Sequence, residues 1–184
     1  GGYNTAVGKD ALGAATTQSD QNTAIGRACM SGDFSTADIN QCTAVGDAAL
    51  SGVLTTTASG SVAVGASALA ALTSGAGNMA VGFESGKLLT TGTLNTIIGY
   101  QAMDASDGGE SYNVAIGPHA LGAVDEGAGG HSDANVCIGW SAGLSGANVN
   151  FSNNVAIGFS ALDGTASQDV ANCVAIGYNA LSGA

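Results

Sequence analysis

Charged residues are scarce in this chain, and basic residues are nearly missing. Only 9% of the 184 residues are charged, and three Lys and Arg stand against fourteen Asp and Glu, so the formal net charge is -11. Soluble domains usually carry about 25% charged residues. Phosphate groups are bound by basic side chains. We therefore expect no nucleic-acid partner and no attraction to an anionic membrane surface.

Proline, aromatic residues and long apolar runs are also rare. Pro118 is the single proline, and aromatic residues make up 5% of the chain. No run approaches the roughly 18 apolar residues of a membrane-spanning helix, so we expect no membrane insertion by this segment. No basic and then apolar leader opens the chain. Thirty glycines beside one proline favour tight, ordered turns over a disordered linker.

The chain instead repeats one short motif ten times. An apolar triplet ends in Val or Ile and then glycine, and Ala-Leu or a near variant usually follows, as in Asn4-Thr5-Ala6-Val7-Gly8 and then Ala11-Leu12. We call the glycines that end the triplets marker glycines: Gly8, Gly26, Gly46, Gly65, Gly82, Gly99, Gly117, Gly139, Gly158 and Gly177. Steps of 17 to 22 residues are too short to enclose a core, so each coil must stack on its neighbours. The sequence predicts a single repeat domain over residues 1–184, an all-β parallel solenoid of about ten coils.

The residues before each marker glycine are typical of a short strand. The last is always Val or Ile, and the second-last is Ala in eight coils, with Ile97 and Cys137 as exceptions. We expect the Val/Ile side to fill the coil interior. We expect the alanine side to be covered by sister chains, because a continuous apolar stripe is larger than monomers usually expose. The alternative is that strand twist turns the alanines inward too, in a flattened monomeric solenoid.

Leu or Met stands four residues after most marker glycines and is predicted to be an inward anchor. Gly86 and Gly143 take this position in two coils, where we expect Leu88 and Leu144 to substitute from shifted positions.

Asparagine stands four residues before the marker glycine in seven coils, and Cys42, Ser61 and Cys173 replace it in the others. Stacked amides can hydrogen-bond one coil to the next, so we expect this position to be structural.

The four cysteines, Cys29, Cys42, Cys137 and Cys173, have neither a CxxC motif nor the spacing of a zinc site. We expect small buried thiols. A Cys29–Cys42 bridge between neighbouring coils and a thiol near a symmetry axis are the alternatives, and the redox compartment stays open.

The motif Asn-Thr-Ala-Val/Ile-Gly-x-x-Ala-Leu, with its Thr/Ser/Gly/Asn-rich connector, resembles the repeats of bacteriophage tail-fibre shafts. It is also similar to the Hep/Hag-type head repeats of trimeric autotransporter adhesins. The resemblance covers essentially the whole chain, and the coil length is nearer to the phage-fibre type. It implies a left-handed parallel β-roll, a homotrimer, and an extracellular location on a virion tail fibre or a bacterial surface. We expect the chain to be a segment of something longer, with trimerisation templated by sequence outside it.

The residue after each marker glycine changes along the chain from charged or small to aromatic. In order, these residues are Lys9, Arg27, Asp47, Ala66, Phe83, Tyr100, Pro118, Trp140, Phe159 and Tyr178. Aromatic side chains at this spacing can pack within the structure or against a neighbouring subunit, and they can also stack on sugar rings. We favour packing for Phe83, Tyr100, Trp140, Phe159 and Tyr178, with glycan contact as the functional alternative.

The longest coil carries an acidic, glycine-rich loop with Asp125, Glu126, His131 and Asp133, and the coil before it carries Asp104, Asp107 and Glu110. Calcium takes about six to eight oxygen ligands, but these spacings match no EF-hand or glycine-rich calcium repeat. We expect a solvated, protruding loop, with calcium binding as the alternative, and no other cofactor or metal. If the rod has a specialised contact point, we expect it at this loop.

Catalytic signals are weak. His119 and His131 are the only histidines, and no serine sits in a nucleophile elbow. A carboxylate pair in a trimer cleft stays open because its spacing is unreadable from sequence. Ice binding is disfavoured, because Val and Met interrupt the register that Thr5, Thr23, Thr43 and Thr96 share.

We therefore expect a non-enzymatic, rigid shaft or head for attachment to a host cell or surface, of the phage tail-fibre type. The alternative is a bacterial adhesin or an extracellular filament subunit, and a glycan-degrading spike ranks lower. The expected partners are further copies of the chain and a cell-surface glycan or protein receptor.

Overall fold

The computed structural model describes residues 2–13, 19–33, 37–123, 132–144, 150–164 and 169–183. These residues form short parallel strands joined by turns, with one 3-10 helix at Thr56–Ala58. Ten strands form the main sheet: β1 (Thr5–Val7), β2 (Thr23–Ile25), β3 (Thr43–Val45), β4 (Val62–Val64), β5 (Met79–Val81), β6 (Thr96–Ile98), β7 (Val114–Ile116), β8 (Val136–Ile138), β10 (Val155–Ile157) and β12 (Val174–Ile176). Two others, β9 (Phe151–Ser152) and β11 (Val170–Ala171), pair in a second parallel sheet.

The strands of the main sheet follow each other in chain order, and each one ends at the residue before a marker glycine. All pairs are parallel and in register with the repeat, so that Thr5 lies opposite Thr23 and Ala6 opposite Ala24. The predicted all-β parallel solenoid is confirmed. Within the described residues, no helix has the length and hydropathy that crossing a membrane requires.

Each marker glycine forms the corner at the end of its strand. Their φ angles lie between 127° and 144°, a region that side chains rarely allow. A Cβ atom on Gly117 would lie 2.5 Å from the carbonyl oxygen of Gly139 in the next coil. The corner therefore needs glycine both for its backbone angle and for the close approach of the next coil.

The backbone hydrogen bonds between coils continue past the corner. For example, Met30 N–H donates to the carbonyl of Ala49 at 3.0 Å. The predicted inward anchors of this second segment are buried in six coils: Met30, Leu50, Leu69, Met103, Leu121 and Leu162. The core is thus a column of Leu and Met side chains facing the strands.

The buried and the outward face of the main sheet are the reverse of our main expectation. The central residue of each strand from β2 onward is buried, as Ala44 and Ala115 are, at 0% exposure. The Val or Ile before each marker glycine is half-buried or exposed instead. The prediction that Val and Ile fill the interior was wrong, because the anchors already occupy the narrow coil and leave room only for a methyl group.

Two coils depart from this pattern and compensate within the core. Gly86 and Gly143 replace the anchor, and the space of each is filled by a larger side chain at a strand centre. A Cβ on Gly86 would lie 2.9 Å from Ile97 Cδ1, and one on Gly143 would lie 2.4 Å from Cys137 Sγ. The expectation for Leu88 was wrong, since this side chain is 43% exposed, and Leu144 is only half-buried.

The repeated asparagines link the coils as predicted. Each accepts, through Oδ1, the backbone N–H of the residue four before the next marker glycine, at 2.9 to 3.0 Å. Each donates, through Nδ2, to a backbone carbonyl seven residues before that glycine, at 2.6 to 2.9 Å. We call this column the amide ladder: Asn4, Asn22, Asn78, Asn95, Asn113, Asn135 and Asn154.

All four cysteines are free, and the bridge between Cys29 and Cys42 is not formed. Cys29, Cys42 and Cys137 are buried, as expected, and Cys173 is half-buried. Burial raises the pKa of the Cys137 thiol to about 12.

Candidate interaction surfaces

The outward side of the main sheet is a continuous and mostly apolar surface, which we call the outer stripe. It consists of the first and third residues of each strand, and the central residues face inward. Its members are Thr5, Val7, Thr23, Ile25, Thr43, Val45, Val62, Val64, Met79, Val81, Thr96, Ile98, Val114, Ile116, Val136, Ile138, Val155, Ile157, Val174 and Ile176. None of them is buried, so the stripe is open to solvent along the sheet.

The predicted aromatic positions come together as one row beside the outer stripe. We call this the ring row: Phe83, Tyr100, His119, Trp140, Phe159 and Tyr178. Successive ring centroids lie 4.6 to 6.4 Å apart. The sequence placed Pro118 in this row, but the ring of His119, one residue later, bridges Tyr100 and Trp140.

Most of the ring faces in the row are in contact with neighbouring rings. Phe83 stacks on Tyr100 with an angle of 13° between the planes, and Trp140 stacks on Phe159 at 17°. His119 meets both of its neighbours edge-on. Because stacking on a sugar requires a free ring face, most of the row offers a ligand only ring edges. The row nevertheless remains half-exposed, with Trp140 at 46% and Tyr100 at 51%.

Polar side chains flank one end of the ring row. Glu84 Oε2 accepts from Gln101 Nε2 at 2.8 Å, and Glu84 Oε1 pairs with Lys87 Nζ at 2.9 Å. The hydrogen bond from Gln101, followed by that from Lys87, lowers the pKa of Glu84. Burial raises the pKa of nearby Asp104. Glu84, Gln101 and Lys87 are thus satisfied by one another, and the bond between Glu84 and Gln101 joins two neighbouring coils.

Most of the acidic loop lies outside the described residues, namely Asp125, Glu126 and His131. Asp133 is described, and its Oδ1 accepts the backbone N–H of Ser111 at 2.7 Å. In the preceding coil Glu110 is buried and accepts the N–H of Gly108 at 3.2 Å. Asp133 thus links two coils, Glu110 bonds within its own turn, and the protruding contact loop stays a prediction.

Across the described ranges, no three His, Cys, Asp or Glu side chains gather as a metal site, and no cavity forms. The surfaces that this structure offers are therefore flat, and they run along the solenoid.

Comparison of the chain with protein-family models, curated proteins and solved structures gave no match. The outer stripe, the ring row and the repeat are thus the basis for any functional conclusion.

Proposed function

We propose that this chain is a non-enzymatic segment of an attachment fibre, of the phage tail-fibre type, and that it works as a homotrimeric shaft or head of about ten coils. The outer stripe is the observation that carries the proposal. Parallel sheets are normally covered on both faces. Here the coil interior covers one face, while the other presents Val and Ile to solvent.

The dimensions of the outer stripe support self-association. Ten strands at a spacing of about 4.8 Å make a stripe about 43 Å long. At three residues, or about 10 Å, in width the stripe covers about 430 Å², which is the size of the largest apolar patch on a typical monomer and often marks an interaction site, and it presents similar residues at every level. Cyclic assembly of identical chains covers it without leaving a free copy of the surface. The resemblance of the repeat to trimeric fibres and adhesins sets the proposed number of chains at three.

Mass in solution by light scattering tests the assembly. We expect three times the 17.6 kDa chain mass for the wild type. Ile116→Lys places a charge in the middle of the stripe and should lower the mass, since a lysine there is solvated only in the separate chains. Thr91→Lys, an equal charge change on an exposed residue outside the stripe, should leave the mass unchanged. A wild-type monomer would refute the trimer.

The attachment role is tested by binding of labelled chain to intact bacterial cells and to a glycan array. We expect binding at a surface other than the ring faces, so Trp140→Ala should leave any glycan signal unchanged. Loss of the signal would favour sugar stacking on the ring row instead. A bacterial adhesin or filament subunit is the second candidate, and sequence flanking this segment separates the two: a trimerisation chaperone supports the fibre, and an outer-membrane anchor supports the adhesin.

A glycan-degrading spike predicts a different result. It requires release of sugars from a cell-surface polysaccharide, and this release should vanish when Asp104 and Asp133 are changed to Asn. We expect no release from the wild type.

A further inference from the structure

A second exposed column runs along the other border of the outer stripe, five residues before each marker glycine. We call it the opposite flank: Tyr3, Gln21, Gln41, Gly60, Gly77, Leu94, Tyr112, Ala134, Asn153 and Asn172. All ten have positive φ angles, between 56° and 75°, and none is buried. In every coil the strand therefore lies between one residue of this column and the residue after the marker glycine.

The two borders match in polarity in five of the ten coils, namely the second, third, fourth, sixth and seventh, whereas Tyr3 shares the first coil with Lys9. In the second and third coils, Gln21 and Gln41 stand across the strand from Arg27 and Asp47, which form an ion pair of 2.7 Å. In the fourth coil both border residues are small, Gly60 and Ala66.

The apolar members of the two borders also fall in the same coils. Leu94, 57% exposed, shares its coil with Tyr100, and Tyr112, 61% exposed, shares its coil with His119. The Leu94 side chain also covers Gly77, since a Cβ there would lie 2.9 Å from Leu94 Cδ2. It thus extends the apolar border to the level of Phe83.

Large rings face small or amide residues in the remaining coils of this half. Trp140 shares its coil with Ala134, and Phe159 and Tyr178 share theirs with Asn153 and Asn172. The two residues of a matched pair lie on opposite borders of the same chain and are separated by the strand. They can therefore contact each other only if they belong to two different chains.

We propose that the ring row of one chain packs against the opposite flank of a second copy at the same level, around a symmetry axis parallel to the solenoid. This inference rests on the proposed self-association and names the surfaces that make it. In a parallel cyclic assembly, one border of each chain meets the other border of the next chain. Tyr100 then packs against the apolar side chain of Leu94, and the rings of His119 and Tyr112 meet in an edge-to-face contact.

The area of this face bounds the contact. The six residue steps from the opposite flank to the ring row span at most about 20 Å at about 3.3 Å per residue, and ten strands span about 43 Å. In a cyclic trimer this face of at most about 860 Å² is divided between two neighbours, so each chain buries in total about as much as the roughly 800 Å² that one partner gives to a single standard interface.

Cysteine cross-linking tests the pairing. In a Cys173→Ser background, Leu94→Cys and Tyr100→Cys are combined in one chain and treated with a short bismaleimide. We expect covalent trimers on a denaturing gel. Leu94→Cys combined with Tyr178→Cys, which lies four coils away, should give no covalent trimer. Leu94→Cys alone and Tyr100→Cys alone should give none either. Cross-linking of Tyr100→Cys alone would mean that like borders meet, and this would overturn the proposal.

A charge exchange gives a second test that does not depend on cross-linker reach. Leu94→Glu should raise the dissociation constant of the oligomer at least tenfold, and adding Tyr100→Lys should restore it. Oligomers that show no cross-link and no rescue would overturn this pairing while leaving self-association intact. A monomeric wild type would overturn both.

Discussion

Asn113 is bonded through both ends of its amide group. Its Oδ1 accepts the backbone N–H of Asn135 at 2.9 Å and Asn135 Nδ2 at 3.0 Å, and its Nδ2 donates to the carbonyl of Ser132 at 2.8 Å. All three residues are buried, so no water replaces these bonds if the amide is removed. Buried donors and acceptors that lose their partners are costly.

We predict that Asn113→Ala lowers the free energy of unfolding by about 2 to 4 kcal/mol, because it leaves a buried N–H and a buried carbonyl unpaired. Urea unfolding measures the loss. Asn172→Gly is the control, since Asn172 is exposed at a φ of 58° that glycine adopts freely. Equal small losses in both variants would show that the amide ladder adds little stability.

Ser61 interrupts the amide ladder and offers the reverse experiment. Its Oγ accepts from Asn78 N–H at 3.3 Å and donates to the carbonyl of Gly75 at 3.5 Å, both longer than the asparagine bonds. We predict that Ser61→Asn stabilises the chain by about 1 kcal/mol, since its amide reaches the same two partners at shorter distance. A destabilised variant in the urea titration would mean that the fourth coil has no room for the amide.

The pair of Cys137 and Gly143 gives a test of packing inside one coil. Other coils place leucine at the position of Gly143 with φ near 50°, so a side chain there is allowed by the backbone. We predict that Gly143→Ala costs about 2 to 3 kcal/mol, because its Cβ meets Cys137 Sγ. In a Cys137→Ala background, which lacks the Sγ atom, Gly143→Ala should cost at least about 1 kcal/mol less than it does in the wild type. If the double variant loses as much stability as the two single variants together, this packing is contradicted.

Each strand with its glycine corner forms the repeating element. Gly117 and Gly177 have nearly the same φ, 131° and 127°. They differ in their surroundings, because a Cβ atom on Gly117 would meet Gly139 of the next coil, whereas one on Gly177 would have no neighbouring atom within 4 Å.

We predict that Gly117→Ala prevents folding or costs more than about 4 kcal/mol, because strain at the corner is joined by a clash with the next coil. Gly177→Ala keeps the strain without the clash and should cost about 1 to 3 kcal/mol. Circular dichroism during heating measures both. Equal losses would mean that the φ angle alone, and not the approach of the next coil, requires the glycine.

The element was largely predictable from the sequence, and its orientation was not. The β-branched triplet, the glycine corner and the inward Leu or Met follow from residue type and spacing. The facing of the strand does not, because Ala44 and Val45 are both apolar and three residues give no polar alternation. The width of the coil decides which strand face is buried, because the interior has room for only one large side chain per coil. The two coils with a larger central residue, Ile97 and Cys137, show this, since glycine replaces the anchor in each, at Gly86 and Gly143.

The ring row was predicted from its position in the repeat, except for His119. Pro118 breaks the aromatic series, and the next residue continues it, which spacing alone does not reveal. The outer stripe and the opposite flank were missed for a common reason. Both depend on knowing which strand face is buried, and that follows from packing rather than from any single residue.

On the scale of the whole molecule, two columns stiffen the same part of the solenoid. The amide ladder is unbroken from Asn78 to Asn154, and the ring row runs from Phe83 to Tyr178. The coils before Asn78 have no ring row and carry Cys42 and Ser61 in place of two amides. In a stacked repeat, stability depends on each coil's contacts with its neighbours. The earlier coils should therefore open more readily than the later ones.

Thiol labelling of the native protein measures this difference. We predict that Cys29 and Cys42 react with iodoacetamide faster than Cys137, after each rate is divided by its rate in the unfolded chain, because all three are buried and react only when their coils open. The division removes differences in the intrinsic reactivity of the thiols, because an opened coil exposes its thiol as the unfolded chain does. Half-buried Cys173 should react first and serves as the accessible reference. Mass spectrometry of the peptides gives the rates.

Ser61→Asn separates local opening from global unfolding in the same experiment. Repairing the amide ladder beside Cys42 should slow the labelling of Cys42 and leave that of Cys137 unchanged, since each coil is stabilised through its direct neighbours. If the whole solenoid unfolds as one unit, the three buried cysteines share one rate and Ser61→Asn slows all of them equally. That outcome would refute the uneven stability inferred from the two columns.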